Sequence, residues 1–212
     1  MKKAFTLLEL VFVIVVIGIL AAIIIPSTKT NPVREAAIQL VSHIRYTQHL
    51  AMMDDRFNAT DPKWYMEMWQ IRFTNGNGTS DGKPAYVIFS DTSHTQHPEK
   101  SECAVDPLTG LLLNGGVVND QWDDPDFLQA TNIGNEYGIT SVMFGSECNN
   151  AMRIAFDHFG RPIEGDISSP STSSTLTGAL KYITGTCTIT ISNGSDSEVI
   201  LIEPESGYIH IQ

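Results

Sequence analysis

Polar and apolar positions follow three different rhythms along the chain. From Phe5 to Ile25 they barely alternate: 21 residues are interrupted only by Thr6, Glu9 and Gly18. At 1.5 Å per residue a helix of that length is roughly 30 Å long, about one hydrocarbon core, so a single membrane span is expected. Polar residues from Ser27 to Asn31 then break the run, and Asn31 followed by Pro32 reads as an N-cap and first helical position. Beyond them Val33, Ala36, Ala37, Leu40, Val41, Ile44 and Ala51 recur at three- and four-residue spacing. This predicts an amphipathic helix of roughly 22 residues ending near Asp54, with a stripe that needs a sheet to cover. The third rhythm has a period of two. Residues 66–73 and 85–90 read as a hairpin with a turn-rich connection through Asn75-Gly76-Asn77-Gly78, and further strands are expected at 139–144, 152–157, 186–191, 198–203 and 208–212. Pro204-Glu205-Ser206-Gly207 supplies the last turn. Residues 91–138 and 164–178 read as irregular, with loops long enough to make contacts. The fold class is α+β: a long N-terminal helix, membrane-spanning in its first half and amphipathic in its second, packed on an antiparallel β-sheet head.

The first rhythm also poses a chemical question. A secretory signal peptide ends in small residues at a cut site, whereas this run ends in Ile23-Ile24-Ile25-Pro26, so the segment is expected to stay on the chain. A carboxylate within a span costs about 2.5 to 3.5 kcal/mol at the bilayer centre, and no Lys or Arg lies between Phe5 and Ile25 to offset Glu9. Glu9 either sits among the headgroups with Lys2 and Lys3 or acquires a cation from elsewhere. A cut between Ala4 and Phe5 would supply one, the new α-amine of Phe5 on a neighbouring chain.

Lys2-Lys3-Ala4-Phe5-Thr6-Leu7-Leu8-Glu9, followed by the apolar run to Pro26, resembles the class III signal sequence of type IV pilins and type II secretion pseudopilins. The resemblance implies that a prepilin peptidase removes the leader and methylates Phe5, that Ala4 and Phe5 flank the cut, and that Glu9 is the assembly carboxylate. Ala4 departs from the Gly usual at that position. The implied fold is the pilin fold: leader 1–4, transmembrane or filament-core helix 5–25, linker and amphipathic helix 26–56, and periplasmic head 57–212. The implied partners are the peptidase, other pilin or pseudopilin subunits, the inner-membrane assembly platform and the lipid bilayer. The implied location is the bacterial inner membrane, N-terminus cytoplasmic and head periplasmic, and then a pilus or pseudopilus. Within that superfamily, Phe156-Asp157-x-x-Gly160-Arg161 and a final hairpin turning at Gly207 are most similar to GspH/FimT-like minor pilins and minor pseudopilins.

Composition narrows the picture. The net charge is −11, and loss of Lys2 and Lys3 takes the side-chain balance to −13. A body so acidic, whose C-terminal residues 206–212 contain no Arg or Lys, is not expected to bind nucleic acid directly. Cys103, Cys148 and Cys187 all follow the anchor, in an oxidising compartment where a disulfide is permitted. Three single pairs are open, and all three thiols could instead be small buried hydrophobes. Cys148 with Cys187 is favoured because both neighbour predicted strands.

No nucleophile elbow, phosphate-binding Gly loop or zinc-protease helix occurs, and neither an enzyme nor a cofactor is expected. Asp120, Asp123, Asp124 and Asp126 are candidate Ca²⁺ ligands by oxygen type, without EF-hand spacing, and an acidic solvated loop is the commoner meaning of such a run. His94 and His97 form a second metal candidate in a polar loop. Trp64, Trp69 and Trp122 are expected to fill space between sheet, helix and loops. The competing reading is a membrane-tethered periplasmic binding protein or enzyme that uses the N-terminal helix only as an anchor.

Overall fold

The computed structural model describes residues 6–24, 31–117, 121–148, 152–167 and 180–212. The chain divides into two compact units, Met1–Asn31 and Pro32–Gln212. In the first, α1 spans Leu7–Ile24, and its side chains as far as Leu20 are exposed on every face. At 18 residues it is about 27 Å long. Among the described residues no helix is long and apolar enough to cross a membrane.

The second unit opens with α2, Pro32–Met53, whose buried side chains include Val33, Ala36, Ala37, Leu40, Val41 and Ile44. Pro at the first turn costs no hydrogen bond, because that N–H has no partner within a helix. The stripe packs against two sheets at once, meeting β1 (Gln70–Asn75) and β4 (Arg153–Phe156) of one and β7 (Cys187–Ser192), β8 (Ser197–Ile202) and β9 (Ile209–Ile211) of the other. The first sheet has the order β2-β1-β4-β5-β6, with β2 at Pro84–Phe89, β5 at Pro162–Glu164 and β6 at Lys181–Tyr182. The second has the order β3-β7-β8-β9, with β3 at Ser141–Phe144. All described pairings within the two sheets are antiparallel.

The β1–β2 hairpin pairs Gln70 with Phe89 and Asn75 with Pro84. Residues 66–69, read as strand from their alternation, instead belong to a 3-10 turn, Trp64–Glu67, and its exit. Tyr65, Met66 and Met68 bury there against Ala155, Ile163 and Ile167, so the period-two pattern served turn packing rather than a ladder. β5 and β6 are additions; each is too short to show a rhythm of its own.

Residues 91–138 are less irregular than their composition indicates. They contain 3-10 turns at Lys100–Glu102 and Gln129–Thr131 and the short helix α3, Ile133–Glu136, which Asn132 caps by accepting from Asn135 N at 3.0 Å. The stretch closes over the edge strand β2: Ile88 N donates to Leu113 O at 3.0 Å and Ala104 N to Ile88 O at 2.8 Å. That cover explains why β2 is buried on both faces, Tyr86 and Ile88 toward the α2 core and Ala85, Val87 and Phe89 toward Cys103 and Val117. An exposed apolar edge would otherwise be a template for aggregation.

One side chain of α2 joins the turns of both sheets. Gln48 Nε2 donates to Gly160 O at 2.8 Å and to Ser206 O at 3.1 Å. Gly160 follows β4 and Gly207 precedes β9, both with positive φ, and a Cβ on Gly207 would lie 2.4 Å from Gly160 O. Asp157, buried at the head of the same turn, accepts from the backbone N–H groups of Phe159 and Arg161 and from Arg161 Nε at 2.8 Å. The Phe156-Asp157-x-x-Gly160-Arg161 stretch is thus a closed Asp-anchored turn whose glycine makes room for the final hairpin.

Candidate functional site

Glu9 lies in the first turn of α1, three residues after Thr6. Its Oε2 accepts from Thr6 N and from Thr6 Oγ1, both at 2.9 Å, while Glu9 N donates back to Thr6 Oγ1 at 3.3 Å. This is a reciprocal capping box, and Thr6-Leu7-Leu8-Glu9 is its sequence signature. One carboxylate oxygen is engaged within the chain, closing the helix end where backbone N–H groups have no intrahelical acceptor. Among the described residues no Lys or Arg pairs with Glu9. The arrangement holds Oε2 of the side chain against the first turn, and among the described residues no donor meets Oε1. Ala4 and Phe5 lie outside the described residues.

Cys148 and Cys187 are joined by a disulfide with Cα atoms 5.4 Å apart. Cys187 opens β7, and Cys148 sits in the turn after β3, which pairs with β7. Cys103 is buried beside β2, with Sγ donating to Glu99 O at 3.4 Å.

The acidic loop closes on a cation of its own chain. Lys100 Nζ lies 2.8 Å from Asp124 Oδ2 and 2.7 Å from Asp126 Oδ2, and the Lys100 ammonium holds the Asp124 carboxyl below the usual range. Asp123 is exposed and not part of this contact; Asp120 lies outside the described residues. His97 is exposed, whereas His94 turns inward to Glu67, so the two histidines do not act together.

At the C-terminal strand a groove of about 430 Å³ runs between α2 and β9, lined by Arg34, Ile38, Arg45, His210 and Ile211. Sequence reading of the last strand missed this gathering of basic groups because two of them come from α2. Acidic neighbours offset it: Arg34 meets Glu198 at 2.9 Å and His210 meets Glu203 at 3.1 Å. Under the helix, Gln39 Nε2 donates to Tyr86 Oη at 2.7 Å, and His43 Nδ1 lies 2.7 Å from the same oxygen. The Tyr86 hydroxyl accepts from Gln39 and can donate to His43 when Nδ1 of the imidazole carries no proton. Burial pushes the His43 pKa down, opposed by the charge of Asp106.

Residues 1–25 match the family model described as the prokaryotic N-terminal methylation motif. No curated protein and no solved structure matches the chain. The matched segment takes in the basic leader, Glu9 and the capped apolar helix together, and it implies processing by prepilin peptidase and assembly with other pilins. The chain carries a type IV pilin-like class III signal sequence, followed by a helix and antiparallel sheets consistent with the pilin fold.

Proposed function

We propose that this chain is a structural subunit, a minor pilin or pseudopilin, of a type IV pilus, type II secretion or DNA-uptake filament. It is cut between Ala4 and Phe5 and assembles through Glu9. The observation that carries the reading is the methylation motif over residues 1–25 leading into an apolar helix whose first turn holds one oriented carboxylate. The apolar run of the sequence from Phe5 to Ile25 counts 21 residues, about the number a bilayer span requires, and in this reading Glu9 sits in a low-dielectric setting before and after assembly. There a charge without a counter-charge is costly, so a subunit whose Glu9 meets the Phe5 amine of a neighbour is favoured over one in the wrong register. The capping box sharpens this account: Thr6 fixes Oε2, and the incoming amine has Oε1 as its acceptor. The GspH/FimT-like reading within that class rests on the sequence stretches around Gly160 and Gly207, which Gln48 joins in the fold.

Glu9→Ala tests the mechanism. Leader removal should persist, incorporation into filaments should fall at least about tenfold, and the head should keep its unfolding midpoint. A variant that enters filaments at the normal level would overturn the role of Glu9.

A further inference from the structure

Three side chains that the assembly reading leaves unused converge on the head. Asp61 comes from the turn before the 3-10 turn Trp64–Glu67, Glu67 closes that turn, and His94 lies in the loop after β2. One ligand atom from each lies within 4.8 Å of the other two, and all three residues are half-buried. The geometry points to a binding site for a divalent transition ion of the Zn²⁺ class, held by one imidazole nitrogen and two carboxylate oxygens.

Ligand type supports this class over Ca²⁺ or Mg²⁺, which take oxygen donors, whereas imidazole with carboxylate suits Zn²⁺ and its neighbours. Distance supports it too. Two ligands about 2.0–2.1 Å from a tetrahedral ion stand roughly 3.3 Å apart, and His94 Nε2 is 3.2 Å from Glu67 Oε1. Asp61 then needs only a small side-chain movement to complete a three-ligand face, while its Oδ1 is steadied by the Lys63 N–H at 2.8 Å. Water would fill the fourth position.

Charge supports the site as well. Arg56 pairs with Asp54 at 2.6 Å and lies 3.9 Å from Oε2 of Glu67, the oxygen not facing His94. Two carboxylates share the cluster with one imidazole and only a long contact to Arg56, so a doubly charged cation adds favourable charge there.

The loop that delivers His94 is built to hold it. Asp91, fully buried, accepts from Thr95 N at 3.0 Å and Gln96 N at 3.1 Å, and the chain between passes through positive φ at His94 itself. Such a conformation is costly for a residue with a Cβ and persists only where surrounding contacts impose it. The bound ion would tie the segment after α2 to the loop after β2 and stabilise the head by mass action.

The test is isothermal titration of Zn²⁺ into the full chain, stripped of metal and held in detergent micelles, with Co²⁺ as a spectroscopic stand-in. The expected result is one Zn²⁺ per chain, with His94→Ala and Glu67→Gln each weakening binding by at least about tenfold. His97→Ala should leave it unchanged. The tetrahedral Co²⁺ absorption should vanish with His94→Ala. If that variant loses its fold by circular dichroism, Asp61→Asn, nearly the same shape, carries the comparison. No stoichiometric binding, or equal affinity in a folded His94 or Asp61 variant, would overturn the proposal.

Discussion

Helices α1 and α2 are of similar length, 18 and 22 residues, yet obey opposite rules of side-chain placement. In α2 one stripe is apolar and buried to the last few per cent, while Arg34, Glu35 and Gln39 lie between its positions. In α1 Leu, Val, Ile and Phe occupy every face, and Leu10 and Ile14 remain more than half exposed. Helix formation is the same in both; what differs is the medium each surface is suited to. A helix hydrophobic all round needs lipid or other helices, whereas a one-sided helix is satisfied by its own sheets. The single polar exception in α1, Glu9, is bonded to the backbone and hydroxyl of Thr6, which is how a polar group is accommodated where water is scarce.

The sharpest way to expose this difference is a pair of truncations. Leu40→Ala removes a fully buried side chain from the α2 stripe and should destabilise the head by about 2–5 kcal/mol in denaturant unfolding. Leu10→Ala in α1 should change the same transition by less than about 0.5 kcal/mol. Equal effects would break the distinction. Next in size is the disulfide. It closes a separation of 39 residues, so Cys148→Ser with Cys187→Ser should cost about 2–4 kcal/mol of head stability and leave the helicity of α1 in micelles unaltered.

The smallest effect is a pH signature belonging to α2. Burial lowers the folded pKa of His43 below the ordinary 6.5, with the charge of Asp106 acting the other way. The unfolded chain therefore binds more protons in acid, so this contribution is present above pH 6.5 and lost as pH falls below it. The slope is at most about 1.4 kcal/mol per tenfold change in proton concentration. Unfolding of His43→Gln compared with the parent across that window should show a flatter acid limb in the variant.

What could be read from the chain follows the same division. The start of α2 was legible because Asn31-Pro32 is a local signal, and its buried face because the 3.6-residue period persists over the whole helix. β7 was legible because its positions alternate buried and half-buried from Cys187 to Ser192. Two features were out of reach for a physical reason: they depend on residues distant in sequence. β2 lost its alternation because described residues within 91–138, Cys103 and Val117 among them, cover its second face, and α2 packs across two sheets whose strands come from distant segments. The link from Gln48 to Gly160 and Ser206 spans over a hundred positions. At the candidate site the motif pointed to Glu9 directly. The Thr6 partner was equally readable, as Thr-x-x-Glu, but lay hidden inside a run interpreted only as membrane. Asp61, Glu67 and His94 carry no recognisable spacing signal, since the segment 61–67 and the loop after β2 must come together to assemble them.

The most direct test of the central claim is mass spectrometry of the intact protein and its N-terminal peptide from the native membrane. The account predicts a chain that begins at N-methylated Phe5, without residues 1–4. A chain that still begins at Met1 in cells with active prepilin peptidase would contradict it, and would return α1 to the role of a simple tether.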